Sequence, residues 1–487
     1  MKLKKACSMF LAMVSCTGLI SCGTTSEIKV EDLIVPTYED AGEMMLRADL
    51  PPNSSDRAQM ELYKACGFNA IPLTEDNFSA GEVAPYMEKL EQYNEAVKNW
   101  NGNPDTKPTE PEKPNYIKAL ELCEELDIDV FIRPHSSYTA KDPESVIGQP
   151  NYFEQFFYNT DFRDYPAVKG FMVCDEPTYG QVTDLTNRYL TWFNENYGGE
   201  DYELLINHNG PNSSAWKDKF SKTKSYSEFI NYYNDNFLSK LNAARKTLSF
   251  DTYVLHNNGS NNYVHEGFLS SCLGVRKYAN QFGVDFGAYI QCFTGYSTLR
   301  NPSSYADFSF QVCTYLAFGA KKLSFYGYRD FPPEKHLVES GEPNEKWYWV
   351  QDVNTMIKKM DGILFNFDWD GIYTNVGTGS FFEVNDAFDA INKDDLDSLR
   401  GVKSFTSKYD AIVGQFKDAN GNDGFMLVNY EEPSIAHKNK VTMNFKDADG
   451  VLYYKDGEPI VEVLKNKKFT IDLEAGEGVF IIPLFKK

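Results

Sequence analysis

The segment Gly170-Phe171-Met172-Val173-Cys174-Asp175-Glu176-Pro177 is an apolar run that stops in two carboxylates and a proline. A short apolar run that ends in polar residues is typical of a buried strand in a parallel sheet. Similar runs recur along the chain and alternate with amphipathic helical patterns, and this alternation predicts βα units. The segment is therefore predicted to be one strand of a repeating α/β fold, with its acidic residues at the carboxyl end.

Working outward from this segment, we place eight such strands between residues 40 and 370. The predicted strands cover residues 44–50, 69–73, 129–133, 168–173, 204–206, 248–253, 286–291 and 322–328. Eight βα units over roughly 300 residues match the size of a closed (β/α)8 barrel, the TIM-barrel architecture. The strand that ends in Glu176 is the fourth of the eight.

The pattern changes from about residue 371, where short alternating strands replace the βα units. The dipeptides Asn420-Gly421 and Asp456-Gly457 suit tight hairpin turns, and residues 441–445 and 469–473 alternate with the strand period of two. These features predict a C-terminal antiparallel β-sandwich over residues 371–487, with the domain boundary near residue 370.

The N-terminus has the pattern of a secretory signal. A positively charged head, residues 1–5, precedes an apolar stretch over residues 6–20 that is too short to span a bilayer stably. The following Leu19-Ile20-Ser21-Cys22-Gly23 resembles the lipobox of bacterial lipoproteins, where cleavage before the cysteine leaves its thiol to carry a diacylglycerol. We expect removal of residues 1–21, a lipid on Cys22, a tether over residues 22–39, and anchoring to the outer face of a bacterial membrane.

The charge of the chain restricts its partners. The formal net charge is −22, and it becomes −25 when cleavage removes Lys2, Lys4 and Lys5. Such a surplus repels phosphates, so nucleic acid and anionic lipid are not expected as partners. Neutral or cationic ligands remain.

The cysteines lie inside apolar patterns. Six of them besides Cys22 would survive processing, at positions 66, 123, 174, 272, 292 and 313. In a chain that can bury a core of this size, we expect buried free thiols and no disulfide framework. The chain has no CxxC pair, so a structural zinc site is not predicted.

In a closed parallel barrel the reactive groups gather where the strands end. The candidates, in strand order, are Arg47 and Asp49, Glu75, Arg133 and His135, Asp175 and Glu176, Asn207 and His208, Asp251 and Tyr253, Gln291, and Tyr326 and Tyr328. The tyrosines suit the apolar face of a pyranose ring, and the polar groups suit its hydroxyls. Each residue taken singly could equally be a solvated rim residue.

Glu176 is the sharpest candidate among them. Pro177 favours an extended backbone at the preceding residue, so Glu176 is expected to be held firmly. Shielding by a bound sugar would raise the pKa of Glu176 enough for it to protonate a leaving-group oxygen. The competing interpretation is an acidic turn in which Asp175 or Glu176 caps the next helix.

The Asp175-Glu176-Pro177 ending resembles that of clan A glycoside hydrolases, particularly bacterial barrels similar to the family 42 β-galactosidases. Residues 205–211, 248–253 and 315–323 and the trailing sandwich resemble the same group, so that coverage runs over most of residues 40–485. The resemblance implies a glycoside hydrolase with a carbohydrate ligand and with Glu176 as general acid/base. No cofactor is expected.

The family pattern also implies a glutamate nucleophile at the end of strand seven, where this chain has Gln291. A neutral amide cannot form the glycosyl ester. Asp251 is the leading substitute, either as nucleophile or as the base for a water molecule, and Glu75 and Asp49 are weaker ones.

Two other functions remain open. A non-catalytic carbohydrate-binding lipoprotein is motivated by Gln291, and a scaffold or adhesion lipoprotein by the sandwich. A metal site is a further alternative for the set of His135, His208, His256 and Asp251. These residues show no close-spaced ligand motif, so no metal is predicted.

Overall fold

The structure is a computed structural model that describes residues 28–39, 41–73, 83–133, 160–217, 225–293, 298–332, 334–378 and 399–487. Its central element is an eight-stranded parallel sheet, and this confirms the predicted barrel. The strands are β1 (Met45–Ala48), β2 (Ala70–Leu73), β3 (Asp129–Ile132), β4 (Val168–Asp175), β5 (Glu203–Asn209), β6 (Thr247–Asp251), β7 (Asp285–Gln291) and β8 (Ala320–Tyr326). Their order in the sheet is β1, β8, β7, β6, β5, β4, β3, β2.

The barrel closes between β1 and β2 largely through two side chains. At the amino end of the strands, Asn69 takes the place of a paired residue in the hydrogen-bond ladder between β1 and β2. Its backbone N–H donates to the Leu46 carbonyl (3.0 Å), and its Oδ1 accepts from the Leu46 N–H (2.8 Å). Its Nδ2 also donates to the carbonyl of Met44 (2.9 Å). An asparagine satisfies both strand edges here because its amide group has the same donor and acceptor as a peptide.

Tyr63 makes the second link across this seam. Its hydroxyl accepts from the Ala48 N–H and donates to the Ala70 carbonyl, both at 2.8 Å. We expect Tyr63→Phe to lower the free energy of unfolding by about 1–3 kcal/mol, because two buried backbone groups lose their partner. Urea denaturation measures this. The matched control is Tyr226→Phe, whose buried hydroxyl has no partner in the described residues and should cost nothing. Equal losses in both variants would contradict the role of Tyr63.

The helices pack their apolar faces on the outside of the barrel. They are α1 (Arg57–Ala65), α2 (Val83–Lys98), α3 (Asn115–Glu125), α4 (Gln181–Leu185), α5 (Thr191–Asn196), α6 (Tyr226–Asn236), α7 (Phe268–Phe282), α8 (Tyr305–Ala317) and α9 (Glu345–Leu364). Two of these helices show common capping residues at their ends. Asp56 caps α1 by accepting from two backbone N–H groups, and α7 ends at Gly283 in the left-handed region (φ 65°).

A β-sandwich follows the barrel, as predicted. Its strands are β9 (Phe367–Asn375), β10 (Val402–Ser407), β11 (Ala411–Asp418), β12 (Asp423–Asn429), β13 (Asn439–Phe445), β14 (Gly450–Lys455), β15 (Glu458–Val463), β16 (Lys468–Leu473) and β17 (Gly478–Leu484). One antiparallel sheet has the order β9, β11, β12, β17, β14, β15, and the other has the order β10, β13, β16. Asp456 and Gly457 turn the β14–β15 hairpin with φ values of 51° and 78°. Such positive angles are required by a tight type I′ turn.

The six cysteines at positions 66, 123, 174, 272, 292 and 313 are buried and free, as predicted. No helix in the described part of the chain is both long and apolar enough to cross a bilayer. Residues 1–27 lie outside the described residues, so the signal peptide and the lipid on Cys22 stay predictions.

Candidate active site

An apolar layer inside the barrel supports the site. It is formed by the inward side chains of Met45, Ala70, Phe131, Met172 and Leu205. Successive side chains of a strand point to opposite faces, so the residue two positions further along each strand also points inward. For β1, β3 and β5 these residues are Arg47, Arg133 (which directly follows β3) and Asn207. They lie toward the carboxyl ends of the strands, and they are polar.

Arg47 lies on the floor of this polar region. Its residue exposure is 2%, and its Nε donates to Ser324 Oγ (2.7 Å) while its Nη2 donates to the hydroxyl of Tyr289 (2.7 Å). Arg47 is one of the residues that the sequence predicts to bind sugar hydroxyls. The structure instead buries it one layer below the opening, where its donors are used by barrel residues.

Asp49 lies beside Arg47 and is also buried. Burial raises the pKa of Asp49, against the opposing effect of Arg47 and Arg133, and the Tyr289 hydroxyl donates to its carboxylate. Its Oδ1 has no hydrogen-bond partner in the described residues. With 3% of its surface exposed, Asp49 belongs to the floor, like Arg47, and not to the binding surface that the sequence analysis expected.

Two residues position Asp175 above the floor. Arg133 Nη2 lies 3.5 Å from its Oδ2, and the amide Nδ2 of Asn207 donates to its Oδ1 (3.0 Å). The same amide donates to Asp251 Oδ1 (3.3 Å), and Ser249 Oγ donates to Asn207 Oδ1 (3.2 Å). Asn207 thus links the carboxyl ends of β4, β5 and β6.

The carboxyl groups of Asp251 and Glu176 are hydrogen-bonded to each other. Burial raises the pKa of Asp251 well above its usual range. The negative charges of Glu176 and Asp175 and the hydrogen bond with Glu176 add to that effect, whereas Asn207 opposes it. Two carboxylates in contact cannot both ionise without strong repulsion, so the pair holds a proton between them.

The backbone of Glu176 departs from the extended conformation expected before Pro177. Its φ is 51°, in the left-handed region, and its N–H donates to the carbonyl of Asn207 (2.8 Å). This hydrogen bond continues the β4–β5 ladder by one residue while the chain turns out of the strand. The capping interpretation is wrong, because α4 begins after Gly180 and has no side-chain cap.

Aromatic rings line one side of the carboxyl pair. The ring centroid of Phe293 lies 4.8 Å from that of Tyr253 and 5.1 Å from that of Tyr326, both in edge-on contact. Burial, followed by the charge of Asp251, raises the pKa of Tyr253 well above its usual range. We call Tyr253, Phe293 and Tyr326 the aromatic wall.

Gln291 does not face an open site. Its Oε1 accepts from the N–H groups of Val254 (3.1 Å) and Leu255 (3.0 Å), and its Nε2 donates to the carbonyl of Arg300 (2.8 Å). The residue is fully buried. Although the sequence analysis expected Gln291 to bind substrate, its side chain instead ties together the segments that follow β6 and β7.

We expect Gln291→Glu to destabilise the fold by at least about 2 kcal/mol and not to create a nucleophile. A glutamate offers no donor to the Arg300 carbonyl and places a charge in a fully buried position. Urea denaturation measures the loss. Gln59→Glu is the control, since Gln59 makes a similar bond to the Gly341 carbonyl (3.1 Å) in a half-exposed position. A gain of hydrolysis in Gln291→Glu would contradict this account.

His208 and Tyr328 lie outside the site. The ring of His208 packs 4.3 Å from that of Tyr233 between β5 and α6, and burial lowers its pKa to about 3. The ring of Tyr328 packs 4.9 Å from that of Tyr63 on α1. Both residues are predicted from the sequence to bind substrate. His208 directly follows Asn207, and since Asn207 points inward, His208 must point outward.

Three of the remaining expected residues, Glu75, His135 and Cys22, lie outside the described residues. In the part of the chain that the structure describes, no cluster of three or more His, Cys, Asp or Glu side chains could hold a metal ion. Tyr289, whose hydroxyl accepts from Arg47, is not among the residues expected from the sequence, although its two-residue spacing from Gln291 indicates an inward direction.

No family model and no curated protein matches this chain. Solved structures with a similar fold include a family 39 glycoside hydrolase from the gut symbiont Bacteroides cellulosilyticus WH2 (TM-score 0.49, 10% identity, 92% of this chain and 83% of that chain). Others are a family 5 glycoside hydrolase from Bacteroides vulgatus ATCC 8482 (0.47, 11%, 95% and 96%) and a β-galactosidase from the psychrophilic Marinomonas ef1 (0.41, 11%, 69% and 63%).

Proposed function

We propose that this protein is a glycoside hydrolase that acts on a neutral oligo- or polysaccharide, with Glu176 as its general acid/base. The observation that carries the proposal is the hydrogen-bonded pair of Glu176 and Asp251 at the carboxyl ends of β4 and β6, the two strands on either side of β5. A shared proton next to an aromatic wall is what protonation of a glycosidic oxygen needs. The resemblance of the Asp175-Glu176-Pro177 segment to clan A enzymes supports the same assignment.

The two carboxyl groups have different positions in this proposal. Glu176 is partly exposed, whereas 8% of Asp251 is exposed. Glu176 therefore delivers the proton to the leaving-group oxygen as the glycosidic C–O bond breaks. A water molecule then adds to the anomeric carbon and returns a proton to the pair.

In this geometry Asp251 is more deeply buried than Glu176 and acts on the substrate through Glu176. Glycosidase carboxyl pairs that flank a sugar lie about 5–5.5 Å apart in retaining enzymes and about 6.5–9.5 Å apart in inverting ones. Groups in direct contact leave no room for a sugar or a water molecule between them. We infer that Asp251 adjusts the pKa of Glu176. A nucleophilic role for Asp251 would require the two carboxyl groups to separate when the substrate binds.

The neighbouring groups suit a neutral sugar. The partly exposed Tyr253 and Tyr326 of the aromatic wall offer an apolar surface for the C–H face of a pyranose, and the partly exposed Arg133 offers donors for hydroxyl groups. We further propose that the protein is exported and lipid-anchored through Cys22, as its N-terminal sequence indicates. Surface exposure would give the site access to glycans outside the cell.

Hydrolysis of a panel of nitrophenyl glycosides and oligosaccharides tests the proposal. We expect release of product from at least one neutral substrate, and loss of that release in Glu176→Gln. Activity that is equal in the two proteins would remove Glu176 from the mechanism.

The second candidate function is carbohydrate binding without catalysis. It is favoured by Gln291, which fills the strand-seven position with a buried structural amide. Under this alternative the wild-type protein binds glycans saturably and hydrolyses none of the panel.

The raised pKa of Asp251 predicts a pH-dependent stability effect. Protonation of Asp251 favours the folded state, so its stabilising contribution is present below the unfolded pKa, about 3.9, and is lost as the pH rises through the folded value. At pH 7 we expect Asp251→Asn to raise the free energy of unfolding by about 0.5–2 kcal/mol. The gain should shrink toward pH 4.

Urea midpoints at pH 7 and pH 4.5 measure this difference. The control is Asp235→Asn, because Asp235 is exposed on α6 and lies outside the site. A variant of Asp251 that is less stable than wild type at pH 7 would contradict the assignment of a strained carboxyl pair.

A further inference from the structure

A polar cavity lies at the other end of the barrel from Glu176. Its volume is about 230 Å³, and its lining includes Arg276, Asn280, Asp285, Lys321, Asp368 and Trp369. Asp285 is the first residue of β7, whereas the active-site groups follow the strand ends. A strand of this length spans roughly 20 Å, so the two sites are separate. We call it the basal cavity.

Arg276 has unused hydrogen-bonding capacity in the basal cavity. The residue is 8% exposed, and its Nε has no hydrogen-bond partner in the described residues. Its guanidinium lies over the ring of Trp369, 5.0 Å from the centroid. Burial lowers the pKa of Arg276 to about 10, against the opposing charges of Asp285 and Asp368. Although Nε itself is covered, the guanidinium lines the cavity, so a ligand there can accept from its terminal N–H groups.

The other polar groups of the basal cavity are mostly acceptors. Asp285 is half-buried, and burial raises its pKa. Asp368 and the amide of Asn280 are exposed at its edge. Lys321 is different, because its ammonium group already donates to the carbonyls of Leu364 (2.6 Å) and Phe367 (3.3 Å).

The charges of the side chains that line the basal cavity balance. Two cationic side chains, Arg276 and Lys321, line it together with two carboxylates, Asp285 and Asp368. Arg245 does not line the cavity, but its charge also lowers the pKa of Asp285. An anion or a cation would meet repulsion as well as attraction. A ligand whose hydroxyl groups both donate and accept can satisfy the guanidinium, the carboxylates and the amide together.

We propose that the basal cavity binds a neutral sugar unit, as a second carbohydrate-binding site separate from the carboxyl pair. Its size and balanced polarity fit one polyhydroxylated ring. The proposal stands independently of hydrolysis, because none of these residues belongs to the active site.

Fluorine NMR of the full chain labelled with 5-fluorotryptophan tests the proposal. The resonance of Trp369 is assigned by its loss in Trp369→Phe. The protein is titrated with glucose, galactose, mannose and xylose, and separately with inorganic phosphate. We expect at least one sugar, and not phosphate, to shift this resonance saturably. Arg276→Met and the exposed-site variant Asn280→Ala should each weaken that sugar at least 10-fold, whereas Lys277→Met on the same helix should not.

Two results would overturn the proposal. One is a Trp369 resonance that no sugar shifts, and the other is a shift by phosphate that exceeds every sugar. The same titration on Glu176→Gln is expected to match wild type, so the outcome does not depend on whether the protein hydrolyses glycosides.

Discussion

Replacement of Glu176 by glutamine is expected to lower kcat/KM for an unactivated glycoside by about 10²- to 10⁴-fold, because the leaving-group oxygen loses its proton donor. A glutamine can still hydrogen-bond to Asp251, so the fold should persist. The loss should be much smaller for a dinitrophenyl glycoside, whose leaving group needs no protonation. This dependence on the leaving group separates a lost acid from a general disturbance of the site.

The control for this experiment is Glu195→Gln, since Glu195 is exposed on α5. It should hydrolyse both substrates like wild type. A Glu176→Gln variant with equal losses for both leaving groups would show that Glu176 positions the substrate and does not protonate it.

Replacement of Arg300 by methionine is expected to cost about 3–5 kcal/mol of folding free energy, because it leaves two buried carboxylates without a cation. The guanidinium makes a bidentate contact with Asp307 on α8 (2.6 and 3.0 Å) and a further one with Glu432 of the sandwich (2.5 Å). Both carboxylate side chains have no exposed surface. Guanidinium chloride denaturation measures the loss.

The matched control for Arg300 is Arg163→Met. Arg163 also pairs with two carboxylates, Asp161 and Glu200, but its side chain is 41% exposed. Exposed pairs contribute about 0–1 kcal/mol, so this variant should stay close to wild type. Similar losses of folding free energy in both variants would show that burial does not increase the stabilising contribution of the Arg300 cluster.

The Arg300 cluster also connects the sandwich to the segments beside the site. The Arg300 N–H donates to the Leu255 carbonyl (2.9 Å), and its own carbonyl accepts from Gln291. Leu255 closely follows Tyr253 of the aromatic wall. The C-terminal sandwich therefore supports the segment that carries the wall, and a loosened wall in Arg300→Met should raise KM in any protein that remains folded.

The amino-acid sequence by itself determined the architecture. Apolar runs in a helix-alternating order placed all eight barrel strands, because burial on both faces forces a parallel strand to be apolar. The dipeptides Asn420-Gly421 and Asp456-Gly457 placed two hairpins, since a tight turn needs residues that tolerate positive φ. The buried state of the cysteines followed from the same apolar patterns.

Only the tertiary structure decided which of the strand-end residues form the site. One step along β5 separates Asn207, which points inward, from His208, which points into the helix layer, and the composition of the strand does not reveal that phase. The contact between Glu176 and Asp251 joins strands far apart in sequence, and the raised pKa of Asp251 exists only because burial and neighbouring carboxylates meet there. Gln291 reads as a missing nucleophile in the sequence, whereas in three dimensions it is the amide that holds two loops together.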